Sequence, residues 1–222
     1  RRRDPRAIDY GGWMLCDDST SGVVVGGGAT GVELAGAIAG IARVALANDF
    51  KAIDTKSARV MLYEGSDRIL NTFSPNLSER AKKDLEKLGV EVNLNSFVTD
   101  IRPGEVKVGE DWVDTSVAVW ATGVSASPLG NDLNADVDKQ GRVYVEKDLS
   151  VSNHKNIFVI GDMAHFKQKN GEAVPGVAPA AIQMAQLTCK NILNDLNGKP
   201  RKEFSYWDKG SMATIGRNKA IV

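Results

Sequence analysis

Cysteine is nearly absent. Cys16 and Cys189 lie far apart in the chain, which excludes a disulfide-stapled scaffold, a CxxC redox pair and a cysteine metal cluster. They read as two free thiols in a reducing compartment. Histidine is as scarce, with only His154 and His165, too few for a zinc site without cysteine help, so no metal is expected. Charge of one sign is not in excess: 28 basic residues face 28 acidic ones. The basic surplus of a nucleic-acid binder is missing, and no nucleic-acid partner is expected. No uninterrupted apolar run reaches the ~18 residues that span a bilayer. The best candidate, residues 32–47, contains Glu33 and Arg43. The basic start, Arg1-Arg2-Arg3-Asp4-Pro5-Arg6, has no apolar stretch behind it and is not a signal peptide. An initiating Met is lacking too, and the sequence stops in a strand-like run at Ile221-Val222. We therefore expect a piece of a longer protein.

What is present is an ordinary globular composition. Of 222 residues, 42% are hydrophobic and 25% charged, enough for one large domain or two small ones. Glycine is the exception, with 22 residues against an average of ~7%. Their positions matter most.

Residues 1–20 show no clear period and stay an unassigned lead segment. Gly22-Val23-Val24-Val25 is a short β-branched run, as a buried parallel strand should be. Gly26-Gly27-Gly28-Ala29-Thr30-Gly31 follows at once, and residues 32–47 read as an alanine-rich helix. Residues 48–57 read as a loop, and residues 59–63 as a second strand ending in Glu64-Gly65. Ser74-Pro75 offers an N-cap and a proline at the first helical position. That helix carries Leu77, Ala81, Leu85 and Leu88 on one face and stops at Gly89. Residues 90–94 and 117–120 are further strands, with short strands and turns between. Residues 125–141 are loop-rich, and residues 142–145 suggest a small strand. Ile157-Phe158-Val159-Ile160 reads as another buried strand, ending in Gly161-Asp162. A helix runs from Pro179 to about Leu196, and residues 204–222 read as short strands. Strands alternating with helices predict an α/β fold, Rossmann-like, with a mostly parallel sheet.

Gly26, Gly28 and Gly31 form G-x-G-x-x-G between an apolar strand and a long helix, the context that gives this spacing meaning. Gly26 permits a tight turn, Gly28 lets a pyrophosphate approach the backbone, and Gly31 lets the helix pack on the strand. The helix N-terminus then offers unpaired N–H groups and partial positive charge. A dinucleotide site also needs a carboxylate at the end of the second strand for the ribose 2′-OH, and Glu64 stands there. It lies 33 residues after Gly31, beyond the usual ~20, and the loop at 48–57 accounts for much of the excess. A carboxylate disfavours a 2′-phosphate and so predicts NAD(H); Arg68 nearby leaves NADPH open, and a solvated strand-end glutamate is the bland alternative. Asp162, at a strand's C-terminal end, suits a ligand hydroxyl or an ordinary turn.

Five segments together resemble one family: residues 23–36, Trp120-Ala121-Thr122-Gly123-Val124, residues 156–162, residues 175–183, and Asp208-Lys209-Gly210-Ser211-Met212-Ala213-Thr214-Ile215-Gly216. They are similar to the type II NADH:quinone oxidoreductases, non-proton-pumping flavoproteins with two dinucleotide domains. The resemblance implies a discontinuous FAD-binding domain with an NADH-binding domain inserted in it. Residues 21–124 would be the NADH-binding domain and residues 125–222 the second part of the FAD-binding domain. It implies that Gly26, Gly27, Gly28, Ala29, Thr30, Gly31 and Glu64 bind NADH, and that Ala121, Thr122 and Gly123 line the crossover between domains. Gly161 and Asp162 would hold the flavin ribityl chain, with Pro179, Ala180 and Ala181 approaching its ring. Glu33 would stand near the nicotinamide–flavin stack; from the residues alone it is a first-turn glutamate favoured by the helix dipole. Gln183 would contact the quinone. The implied activity is hydride transfer from NADH to FAD and electron transfer to a membrane quinone. The parent would be a peripheral protein on the cytoplasmic face of the inner membrane, as a homodimer.

Three departures qualify that implication. No second G-x-G-x-x-G is present to hold the FAD pyrophosphate. The family's A-Q-x-A-x-Q run reads Ala178-Pro179-Ala180-Ala181-Ile182-Gln183, with proline in place of the first glutamine. The family's membrane-binding segment would follow Val222. The 222-residue chain alone is therefore expected to bind NADH weakly and not to turn over. A disulfide reductase of the same superfamily lacks its CxxC here. Ferredoxin- or nitrite-reductase-like flavoproteins, and a nucleotide-binding fragment without turnover, remain alternatives.

Overall fold

The computed structural model describes residues 9–10, 13–14, 21–49 and 54–222. These form two compact units. One comprises the described residues up to Gly123 together with Ser211–Val222; the other is Val124–Gly210. The last twelve residues pack on the first unit, where Ala213, Ile215 and Ile221 join its core.

In the first unit, β1 (Asp9–Tyr10) and β2 (Trp13–Met14) pair antiparallel; the other residues of the lead segment lie outside the described residues. β3 (Ser21–Val25) feeds the glycine turn and α1 (Ala29–Gly40). The helix begins three residues earlier than expected. Gly28, at φ −70° and ψ −179°, takes the N-cap conformation, and its carbonyl accepts from the Val32 N–H at 3.0 Å. A π-helical turn, Ile41–Ala45, and the short α2 (Leu46–Asp49) continue it. β4 (Arg59–Tyr63), α3 (Pro75–Lys87) and β5 (Val90–Asn93) follow. Ser74 stands at the N-cap of α3, with its carbonyl, not its hydroxyl, accepting from Leu77 and Ser78. β6 (Val98–Arg102), β7 (Glu105–Val108) and β8 (Asp111–Asp114) form an antiparallel sheet, and β9 (Val117–Trp120) returns. The main sheet is parallel throughout, in the order β5-β4-β3-β9.

Side chains alternate across a strand, and β3 shows what covers each face. Val24, Val60 and Leu62 pack with Val32, Ala35 and Ala39 of α1 and Ala81 and Leu85 of α3. Val23, Val25, Met61 and Tyr63 pack with Val106 of β7. Both faces are dry, which is why β3 reads as an unbroken apolar run. Ala213, Ile215 and Ile221, from the hairpin β14 (Ala213–Ile215) and β15 (Lys219–Ile221), complete the helical side. Gly36 permits this. A Cβ there would lie 2.9 Å from the Gly216 amide nitrogen.

In the second unit, β10 (Val143–Tyr144) pairs parallel with β13 (Ala164–His165), and β11 (Ser150–Val151) pairs antiparallel with β12 (His154–Phe158). The run 157–160 is therefore not a fully buried parallel strand. Its first half belongs to an antiparallel pair, and only Val159 is fully buried. The amphipathic α4 (Ala178–Leu196) covers this core with Ala180 and Met184. The short strands expected over 204–222 begin only at Ala213, and residues 199–210 form no regular element. Side-chain amides hold them beside α4. Asn191 brackets Lys202 at 2.8 and 2.9 Å, and Asn194 donates to the Pro200 carbonyl at 3.1 Å. Arg201 forks between Asp195 and Asp148.

Candidate functional site

The glycine turn at the C-terminal end of β3 separates structural glycines from one that is not. Gly26 sits at φ +106°, and a Cβ on it would lie 2.5 Å from the Ala121 carbonyl oxygen. A Cβ on Gly31 would collide with the Gly26 carbonyl. Gly27 has Ile69 and Glu64 within 3 Å of where its Cβ would stand. These three are fixed by packing and backbone conformation. Gly28 is different: its φ suits any residue, and nothing lies within 4 Å of its Cβ position. The fold does not require glycine there. Gly28, Ala29 and Thr30 are exposed, and α1 starts with no side-chain cap and no acidic residue in its first turn. The result is open backbone at a helix N-terminus, the arrangement that accepts an anion.

Glu64 follows β4 beside this turn. Its Oε2 accepts from the Gly27 N–H at 2.5 Å, and its Oε1 from the Ser66 N–H at 2.8 Å and the Ser66 hydroxyl at 2.6 Å. Burial alone would raise its pKa; the hydrogen bonds from Ser66 and Gly27 outweigh it and hold the carboxyl below its usual range. The Gly65 backbone amide also favours the ionised carboxyl, so Glu64 is held as a hydrogen-bond acceptor. The sequence reading missed Ser66 as the group that orients Glu64; the E-x-S spacing after a strand was the available signal. Arg68 donates to the Asn71 carbonyl at 3.3 Å.

Ala121, Thr122 and Gly123 leave β9 beside β3. The Ala121 N–H donates to the Val25 carbonyl at 2.8 Å, and its own carbonyl crowds Gly26. Gly123, at φ +108°, has open space around its Cβ position. Glu33 is not in the first turn of α1, which starts at Ala29. Its Oε1 accepts from the Thr214 N–H at 2.9 Å and the Thr214 hydroxyl at 3.1 Å. It therefore ties α1 to the edge of β14.

In the second unit, Gly161 (φ +63°) and Asp162 open a short 3₁₀ turn after β12. The Gly161 Cβ position is 3.3 Å from the Ala181 methyl, and that of Gly176 is 3.3 Å from Asp162 Oδ1. Asp162 is exposed, and its carboxylate has no hydrogen-bond partner among the described residues. The α4 start is poorer in donors than expected. Pro179 has no N–H, and the Ala180 and Ala181 amides both donate to the Val177 carbonyl. The Ala180 side chain is core, 2% exposed, so it presents no surface to a ligand. Gln183 is committed as well. Its Nε2 donates to the Trp207 carbonyl and its Oε1 accepts from the Trp207 N–H, each at 3.0 Å. No group of His, Cys, Asp and Glu able to hold a metal, and no helix long and apolar enough to cross a membrane, occurs among the described residues.

Comparison with known proteins places this geometry. The model of the pyridine nucleotide-disulphide oxidoreductase family matches residues 9–185. A type II NADH:quinone oxidoreductase of Mycobacterium tuberculosis is 41% identical over 210 residues, covering 89% of this chain and 44% of that protein. The Haemophilus influenzae counterpart is 34% identical over 211 residues, covering 94% of this chain and 47% of its own length. The chain thus spans about half the length of the curated relatives it matches. Among solved structures, NDH2 of Plasmodium falciparum in complex with NADH shares the fold with a TM-score of 0.79 at 19% identity, covering 91% of this chain and 57% of that one.

Proposed function

We infer the function from a premise now in place: this chain belongs to the pyridine nucleotide-disulphide oxidoreductase family. On that premise the first unit binds NADH, and the whole protein is a type II NADH:quinone oxidoreductase. The observation that carries the reading is the contrast within the glycine turn. Packing and conformation demand Gly26 and Gly31, whereas only an incoming ligand needs Gly28 to be glycine.

In this reading the exposed backbone from Gly28 to Thr30, with the partial positive charge of α1, holds the pyrophosphate. Glu64, kept ionised by Ser66 and the Gly27 amide, takes a ribose hydroxyl and repels a 2′-phosphate, so NADH is preferred to NADPH. Ala121–Gly123 and Glu33 lie on the nicotinamide side, and Glu33 fixes Thr214 through its two hydrogen bonds.

The fit to FAD is partial. Asp162 is free to accept a ribityl hydroxyl, and Gly176, with no side chain against Oδ1, leaves that carboxylate room. The α4 start, with its amides used internally, supplies no phosphate cradle. FAD, when bound, supplies the two-electron acceptor that also releases electrons singly. Gln183 is a positioning residue for Trp207 in this reading, and quinone contact follows from that segment. The quinone is part of the same proposal, supported by the names of the relatives; peripheral attachment to the cytoplasmic face of the inner membrane and a homodimer follow from the family resemblance alone.

The test is spectroscopic and kinetic. The whole protein is titrated with NADH and NADPH, its visible flavin absorbance is measured, and NADH oxidation is followed with a soluble quinone. Tighter NADH binding, a yellow protein and quinone-dependent oxidation support the proposal. A colourless protein that binds neither nucleotide refutes it.

A further inference from the structure

Phe97 stands where the chain leaves β5 for β6, and 68% of it is exposed. Its ring nevertheless lies against Gly65. The ring atoms Cδ1, Cε1 and Cζ lie so close to Gly65 that a Cβ there would fall within 2.7 Å of all three. Gly65 directly follows Glu64. The backbone around the ring is tied to the backbone around that carboxylate. The Ser96 N–H donates to the Glu64 carbonyl and the Asn95 N–H to the Ser66 carbonyl, both at 2.9 Å. An aromatic ring thus lies beside a glycine and is open to water, next to the residue that follows Glu64.

We propose that Phe97 is the platform on which the adenine base of the dinucleotide stacks. The inference rests on the reading of the first unit as an NADH site and adds the determinant for its adenosine end. Every purine has a π-face, and stacking on an exposed aromatic needs no hydrogen-bond code. Gly65 is part of the device, since any side chain there would displace the ring from its seat.

The experiment compares three probes: NADH, ADP-ribose, and reduced nicotinamide mononucleotide, which lacks the adenosine. Phe97→Ala is expected to weaken NADH and ADP-ribose by about five- to hundred-fold while leaving the mononucleotide unchanged. Phe97→Trp restores affinity, and its added indole fluorescence is quenched by ADP-ribose. Gly65→Ala reproduces the selective loss. Unchanged ADP-ribose affinity in Phe97→Ala overturns the proposal, as does an equal loss for the mononucleotide, which would mark the ring as merely structural. If the unsubstituted protein binds none of the three probes, the NADH reading itself fails. If it binds them and only the Phe97 variants behave as unsubstituted, that reading stands and this one falls.

Discussion

Gly28→Val isolates ligand binding from folding. The backbone at Gly28 lies at φ −70° and ψ −179°, a region β-branched residues favour. No atom stands within 4 Å of the new Cβ. Replacing glycine at a compatible position gains about 0.4–1 kcal/mol through the unfolded chain. Losing glycine at an N-cap costs a similar amount. The two offset, so the melting temperature should stay within about 4 °C of the parent. Binding should change far more. The valine methyls stand where the pyrophosphate approaches the first turn of α1. Each charge-assisted hydrogen bond lost there removes roughly 1.5–3 kcal/mol, and losing two lowers NADH affinity by about a hundred-fold or more. Calorimetric titration with NADH and thermal melting, on the same samples, read both quantities. Gly31→Ala is the control: its methyl would collide with the Gly26 carbonyl, and the melting temperature should fall. If Gly28→Val melts normally and binds NADH within about three-fold of the parent, the turn is structural only and the central motif is misread.

Three further outcomes are expected. Glu64→Gln removes the ionised acceptor beside the ribose, so NADH titration should show a loss of about ten-fold, with the gap to NADPH narrowed. Equal NADH and NADPH affinities in the parent would sink the assignment. Gln183→Ala breaks both hydrogen bonds to Trp207 and should cost about 1–3 kcal/mol, read by denaturant unfolding and by faster proteolysis within 199–210, with NADH binding intact; unchanged proteolysis would argue against the clasp. The Glu64 carboxyl is held below the ordinary glutamate range in the folded protein by the hydrogen bonds from Ser66 and Gly27, which outweigh its burial. Its contribution to stability is therefore complete above the ordinary range and is lost as pH falls through the lowered one. Glu64→Gln should flatten this acid limb of the unfolding curve; an unaltered limb contradicts the geometry.

The parallel sheet and its glycine turn were legible because β3 is dry on both faces and the residues after it are conformationally special. The start of α1 was not, since Ala29 and Thr30 carry no apolar period and the cap is made by the Gly28 carbonyl. Long-range side-chain pairing left no local trace either. Glu33 meets Thr214 across 181 positions, and the amide clasps from α4 to residues 199–210 join a helix to a segment without periodicity. The hydrogen bonds of Gln183 to the Trp207 backbone and the burial of Ala180 belong to the same class, set by a helix start that covers a hydrophobic layer.

The β14–β15 hairpin has a consequence during synthesis. Ala213, Ile215 and Ile221 fill a core whose other members are all translated before Gly123. Chain growth of about 5–20 residues per second means that the first unit waits roughly 5–20 s, with one face of α1 uncovered, while the whole second unit emerges. That interval is open to chaperone capture or to misassociation through the bare helix. Gly36, whose missing side chain leaves room for Gly216, lets the hairpin close that face once it has emerged.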